Sequence, residues 1–385
     1  MTRDATTMAV AFGATALGVS SVSLLAPVLP ELAVRYGVGV DRMAYVQTAV
    51  MLPGIVTGVL ATRLARARGR RAALTLCLLL FGAAGLALAA VTTFPMAVLL
   101  RALQGIGGGG LVALSFLIVR SVSPGRRVRA IGYNAAVVSA MMVVLPLIGS
   151  TLGGFSTAAP FAFYGLALPA AALVWRALPA TTPEQSPTAS PASRRGPPRE
   201  VLGILAMTVL MNVLVFGWML LLTPLLLDAN GVDLTWRGWA LAAQSALATA
   251  ATFATGRWRS GGRFALLTMA GWAAGALFLV GAGVLPGALA VGALVGTGLF
   301  YGVLNPVLAA RIGAVGEGEW FGWWQSCART GQVLGPVAAA WLLAGQSITL
   351  VLVLGGVLSG LVAVVVLGRA MRAAPPGPTD TPTAV

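Results

Sequence analysis

The chain alternates between long apolar runs and short polar intervals. Apolar runs fall near residues 8–30, 43–64, 72–92, 96–119, 131–154 and 159–178, then near 201–227, 236–256, 264–284, 286–310, 321–344 and 347–368. A helix needs roughly 20 mostly apolar residues to cross a hydrocarbon core. Each run therefore predicts one crossing, and the chain predicts twelve. The first run is too long for the core of a signal peptide and reads as a retained span. Residues 179–200 interrupt the series with the stretch PATTPEQSPTASPASRRGPPRE, which is too polar and Pro-rich to bury a core. The pattern predicts an N-terminal six-helix bundle over 1–178, a linker over 179–200, a C-terminal six-helix bundle over 201–372 and a disordered tail over 373–385.

The two groups of six repeat each other. In the fifth and eleventh runs, Gly132 precedes Pro146 and Gly322 precedes Pro336 by the same 14 residues. Gly105, Gly107 and Arg120 meet Gly296, Gly298 and Arg311 at an offset of 191. Pro27, Glu31 and Gln47 meet Pro224, Asp228 and Gln244 at an offset of 197. Several matches at nearly constant offset imply a duplicated six-helix unit. Two parallel halves with a site between them near mid-membrane form one of the known transporter plans.

Composition narrows the class. Only 9% of the 385 residues are charged, 58% are hydrophobic, and the mean hydropathy is +0.90. Soluble domains carry about 25% charged residues, so a soluble enzyme, a disordered chain and a disulfide scaffold are excluded. The fold class is all-α: a polytopic membrane protein of twelve helices in two pseudo-symmetric six-helix bundles. The net charge is +15, and all 25 basic residues are Arg. With the N-terminus inside, 20 of them fall in inner segments and 3 in outer ones. That bias predicts cytoplasmic termini in a cell membrane. It also makes the basic balance a topology signal, with no nucleic acid implied. There is no His to relay protons or bind a metal. Cys77 and Cys327 lie far apart in apolar runs, with no metal-ligand spacing. No metal and no cofactor are expected, and the partners are a small-molecule substrate, protons and the bilayer, with the protein a monomer.

Two motifs carry more. The interval after the second run reads Thr62-Arg63-Leu64-Ala65-Arg66-Ala67-Arg68-Gly69-Arg70-Arg71, and the fourth run contains Arg101-Ala102-Leu103-Gln104-Gly105-Ile106-Gly107. These resemble two motifs of the major facilitator superfamily, G-x-L-A-D-R-x-G-R-R and R-x-x-Q-G-x-G. Leu64, Ala65, Gly69, Arg70 and Arg71 are in register with the first. Thr62 replaces its Gly, and Arg66 replaces the Asp that in the family helps latch one conformation. The second motif matches throughout. The fifth run offers a looser match to the Gly-rich motif of the drug:proton antiporter branch, in Pro146 and Gly149, and the eleventh has Gly335 and Pro336. The resemblance implies a transporter, not an enzyme, and points to export. Gly105 to Gly110 also satisfies G-x-G-x-x-G, but it sits inside a span with no acid about 20 residues on, so no dinucleotide site is implied.

Polar residues inside apolar runs either bond a neighbouring helix or line an aqueous cavity. The cavity candidates are Arg101, Gln104, Asn134, Asn212, Gln244, Asn305, Gln325 and Arg329, with Trp218 and Trp323 as parts of an aromatic wall beside Trp324, Phe216, Phe300 and Tyr301. Arg101 either serves the cavity and its motions or snorkels to the outer face. No span core holds a carboxylate, so a proton carrier can only be Glu31 or its mate Asp228, and an ion pair between Glu31 and Arg101 is expected. Solvated helix-end charges are the competing reading for both acids. The function expected is export of a small amphipathic drug or metabolite by proton antiport with alternating access, with antibiotic resistance as a possible outcome. An uncoupled facilitator or importer of the same fold is the alternative, and a transport-inactive sensor is a third reading.

Overall fold

Leu, Ala, Val and Gly runs without a polar backbone partner nearby satisfy their peptide groups internally, so they wind into helices. The computed structural model describes residues 3–120, 122–178, 198–258, 264–315 and 320–373. Every regular element among these residues is helical. The long helices are α1 (Asp4–Arg35), α2 (Val40–Arg68), α3 (Arg70–Ala90), α4 (Phe94–Val119), α5 (Gly125–Phe155), α6 (Ala159–Ala177), α7 (Arg199–Ala229), α8 (Leu234–Trp258), α9 (Phe264–Val284), α10 (Gly287–Ala314), α11 (Phe321–Leu343) and α12 (Ile348–Ala373). Ten of them are long and apolar enough to cross a membrane. The other two, α8 and α11, have 25 and 23 residues and fall short only in apolarity. Both pack across the seam between the halves, α8 on α5 and α11 on α2. A helix there needs less lipid-facing surface and tolerates Gln244, Gln325 and Arg329. The expected linker over 179–197, the expected tail from 374, and Glu317 and Glu319 lie outside the described residues.

Packing repeats between the halves. α1 meets α5 and α7 meets α11; α2 meets α4 and α8 meets α10; α3 meets α4 and α6, and α9 meets α10 and α12. Lipid-facing stripes are apolar, as on α12, where Leu354, Val357, Leu361 and Val364 are exposed. We call the face bearing the start of α1 the proximal face and the other the distal face. Asp4 accepts a hydrogen bond from Ser123 in the α4–α5 connection on the proximal face. On the distal face Arg35 donates to the carbonyls of Ala89 and Val91 and to Thr157, tying three connections together.

The repeat mates α1 and α7 are both irregular. α1 is regular to Ser23, tightens over Ala26–Val28 and resumes over Leu29–Arg35, with Pro27 and Pro30 at the restarts. Proline supplies no backbone donor, so the ladder breaks there. α7 widens into a π-helical stretch over Leu214–Leu221. In that stretch Gly217 lies against the backbone of Gly335 in α11, a contact that a side chain on either residue would prevent. Wide turns of this kind cluster at functional sites.

Candidate functional site

Arg101 lies seven residues into α4, about 10 Å deep at 1.5 Å per residue, and is 0% exposed. It donates to Gln104 Oε1 at 2.8 Å, Ser21 O at 2.7 Å, Gln47 Oε1 at 3.3 Å and Val46 O at 3.4 Å. The Ser21 acceptor has a local cause. The last four carbonyls of a helical stretch lack in-helix donors, and α1 stops at Ser23. Ser20 O receives the Tyr164 hydroxyl as well as the Leu24 N–H. Arg101 thus fastens the break in α1 to α2 and α4. It neither snorkels to a surface nor opens to a cavity, and Gln104 is equally buried. The glycines of the motif serve the same packing: Gly105 abuts the backbone of Val50 in α2, and Gly107 the backbone of Cys77 and Phe81 in α3.

The expected Glu31–Arg101 ion pair is not formed. Glu31 pairs instead with Arg237 of α8, through Oε1 to Nη2 at 2.5 Å and Oε2 to Nη1 at 3.3 Å. Asp228 of α7 joins the same guanidinium at 3.3 Å. The break in α1 is the reason, since it carries Glu31 toward the α7 and α8 ends and away from α4. Arg237, which the sequence places in an outer segment, is 4% exposed. Among the described residues this is the ion pair that joins the halves. Below it Gly149 of α5 meets the backbone of Leu24, and Gly238 of α8 meets Ser150 and the carbonyl of Pro146. The distal ends of α1, α5 and α8 are therefore closed on one another. Pro146 and Pro336 lie inside α5 and α11, and Gly335 meets Val213 and Gly217 of α7.

The proximal motif has a different geometry. Gly69 is the single residue between the two helical rods Gly54–Arg68 and Arg70–Ala87, with φ of +89°. Leu64 and Ala65 face inward, Arg66 is exposed, and Arg71 stacks 4.3 Å over the Trp175 ring. Arg70 also has a partner.

The remaining candidates divide. Asn134 is buried and accepts from Thr15 at 2.8 Å, with Ser115 completing a knot of α1, α4 and α5. Gln244 donates to Thr297 at 2.6 Å and Leu294 O at 3.1 Å, fastening α8 to α10 as its mate Gln47 fastens α2 to α4. Both are interhelical bonds. The aromatic wall is not assembled. Trp218 is 4% exposed and donates to Val351 O of α12 inside its own half. Trp323 is 60% exposed on the outer stripe of α11 with Leu334 and Trp341, and Phe300 packs on Trp272 at 5.2 Å.

A second group gathers between the halves. Val22, Val50, Met51, Phe216, Leu220 and Val333, from α1, α2, α7 and α11, form an apolar cluster of their own across the seam. One turn toward the proximal face from Val333 is Arg329, half-buried, and one turn further is Gln325, exposed. The i, i+4 positions of a helix share a face, so Gln325, Arg329 and Val333 run along one face of α11, buried at Val333 and exposed at Gln325. Gln332 accepts from Arg329 at 3.2 Å and donates to Asn212 at 3.4 Å, which donates to Thr208 O at 2.9 Å. Asn305 is half-buried and makes no hydrogen bond among the described residues. The i, i+4 spacing of 325, 329 and 333 was present in the sequence. The identity of the contact at Val333 was not.

The comparisons agree with this architecture. The sequence profile described as Major Facilitator Superfamily matches residues 11–236. A "Chloramphenicol resistance protein" of Streptomyces lividans is 29% identical over 239 residues, which are 59% of this chain and 59% of that protein. The chain thus matches a little under two thirds of that relative's length. Among solved structures, a bacterial homologue of the human lysosomal transporter Spinster, inward-facing and occupied, superposes with a TM-score of 0.76 at 15% identity, covering 95% of this chain and 96% of that one. A D-xylose-proton symporter gives 0.75 at 13% identity, covering 95% and 97%. At such identities the structures speak for the fold alone, and the profile speaks for the family. With twelve long helices in two like halves and a matched profile over more than half its length, this chain belongs to the major facilitator superfamily of membrane transporters.

Proposed function

We propose that the protein exports a small amphipathic organic compound by alternating access, driven by proton antiport. The observation that carries the reading is the Glu31–Arg237–Asp228 cluster, a titratable contact at the closed distal end of the seam. The chloramphenicol resistance relative supports the direction and the class of cargo, and the arginine bias supports a cell-membrane protein with cytoplasmic termini.

Coupling follows from what each group can do. Arginine stays charged, whereas Glu31 can take up a proton. Opening the distal end separates the pair, and a carboxylate parted from its guanidinium takes up a proton more readily than one held in the ion pair. Reclosure returns Arg237, which favours the ionised carboxylate and so release of the proton. Asp228 keeps Arg237 partnered while Glu31 is neutral.

The test is uptake of labelled chloramphenicol and a panel of amphipathic drugs into inside-out vesicles, with and without an imposed pH gradient. The wild-type protein should respond to the gradient, and Glu31→Gln should bind substrate without responding. A wild-type protein indifferent to the gradient would establish the uncoupled facilitator in place of the antiporter. A normal response in Glu31→Gln would move the carrier to Asp228.

A further inference from the structure

The two intramembrane arginines are in opposite states. Arg101 spends its donors on four acceptors, none of them a carboxylate, and has no exposed surface. Arg329 is half-buried, and one of its five N–H groups, on Nη1, is taken, by Gln332. The acids among the described residues, Asp4, Glu31, Asp41, Glu200, Asp228 and Asp233, all stand at helix ends. Among the described residues no carboxylate is therefore available to Arg329 at that depth. An intramembrane charge is costly and is kept where it faces water or a counter-charge.

We propose that Arg329 is the anchor of an anion subsite, and that the cargo carries a carboxylate or a similarly charged acidic group on an apolar aromatic body. The argument deepens the transporter reading above and rests on it for the existence of a cargo, but on neither the direction of transport nor proton coupling. Three features fit. The Asn212–Gln332 chain holds the guanidinium from one side, because Gln332 turns its amide donor to Asn212 and its carbonyl to Arg329. That fixes one edge of the fork and leaves the other edge for a bidentate acceptor. Gln325, one turn from Arg329 on α11, has no hydrogen-bonding partner among the described residues and supplies a neutral polar group beside it. Above the arginine, Phe216, Leu220, Val22, Val50, Met51 and Val333 form an apolar ceiling on which a ring can rest. The acid lies against Arg329 and the ring points toward the closed distal end. A cationic cargo is disfavoured there, since it would meet the Arg329 guanidinium, which has no carboxylate partner among the described residues.

The experiment is equilibrium binding to the purified protein in nanodiscs, using aromatic carboxylates paired with their carboxamides, 2-naphthoate against 2-naphthamide among them. The wild-type protein should prefer acids to amides by about tenfold or more, the worth of one charge-assisted bond. Arg329→Gln should abolish the preference while keeping amide affinity, Arg329→Lys should restore part of it, and Glu31→Gln should keep it in full. A second readout needs no ligand. With Cys77→Ala and Cys327→Ser in place, Gln325→Cys should react with a sulfonate-bearing thiol reagent relatively faster than with a trimethylammonium one, and Arg329→Gln should reverse that bias. The proposal is overturned if no acid in the panel is preferred, or if either preference survives Arg329→Gln. A wild-type protein that ignores the pH gradient yet prefers the acids would sink the coupling scheme and leave the anion subsite standing.

Discussion

Arg237 of α8 holds Glu31 of α1 across the seam between the two halves, 206 residues apart in sequence. Each residue stands at the distal end of its helix, and each belongs to a different half. The bond can exist only while those ends are together, so its formation and the closure of the distal side are one event. The proximal side differs. The family's acidic residue in the α2–α3 turn is here Arg66, exposed, and among the described residues no ion pair crosses the seam there. Closure on the distal side is built from charge.

Breaking the distal contact should bias the protein toward its distal-open state. Glu31 is 27% exposed and Asp228 44%, so solvent screens the cluster and Asp228 retains part of the attraction. A double-mutant cycle on Glu31→Gln and Arg237→Gln, read by spin-label distances across the distal ends, should give a coupling of about 1–2 kcal/mol. The charge exchange Glu31→Arg with Arg237→Glu should recover most of the closed population. Independent, additive shifts from the two single variants would show that the pair does not hold the seam.

Topology is open to a simpler measurement. The arginine bias predicts that both termini and residues 179–200 lie in the cytoplasm. Cysteine at Ser190, in Cys77→Ala, Cys327→Ser background, should be labelled by an impermeant maleimide in inside-out vesicles and not in intact cells. Labelling of intact cells would invert every side assignment, including the direction of proton flow.

Gly69 should resist substitution more than its exposed neighbours. Its φ of +89° joins two rods through one residue. An L side chain there costs roughly 1–2 kcal/mol. Gly69→Ala should lower the thermal midpoint of the purified protein, whereas Arg68→Ala, exposed on the same turn, should leave it unchanged. Equal midpoints would mean that the turn relaxes without cost.

The helices were legible because lipid imposes one requirement, an apolar surface about 20 residues long, and the sequence records it directly. The repeat was legible too, since Gln47 and Gln244 join equivalent helices, the first by accepting from Arg101 and the second by donating to Thr297. The site was legible only in part. Asn134, Gln244 and Trp218 look like cavity residues in sequence, because a polar atom in an apolar run has two uses that composition cannot separate. Their partners, Thr15, Thr297 and the Val351 carbonyl, are tens of residues or more away. Arg237 was read as a loop residue for its position near a run's start. The break of α1 at Ser23–Val28 decides which residue Glu31 meets, and Pro27 with Pro30 was the available sign of it.

Arg101 provides the sharpest separation of structure from transport. A guanidinium buried among four neutral acceptors is a staple for the broken end of α1, and the same geometry makes it costly to remove. Arg101→Ala leaves the Ser21 carbonyl and two glutamine oxygens without their donor, at about 1–3 kcal/mol for each group left buried and unpaired. Water entering the vacated space would recover part of that. The expected result is an inserted protein whose thermal midpoint falls by several degrees, with transport lost because α1 no longer holds its bend. Arg101→Lys keeps the charge and can reach one or two of the acceptors, but it lacks the planar fork, so it should recover stability partially and transport less. Substrate affinity measured at equilibrium should change little in either variant, because Arg101 has no surface in the space below Val333. If Arg101→Ala kept its thermal midpoint and lost affinity instead, the residue would belong to the substrate site, and the assignment of that role to Arg329 alone would have to be given up.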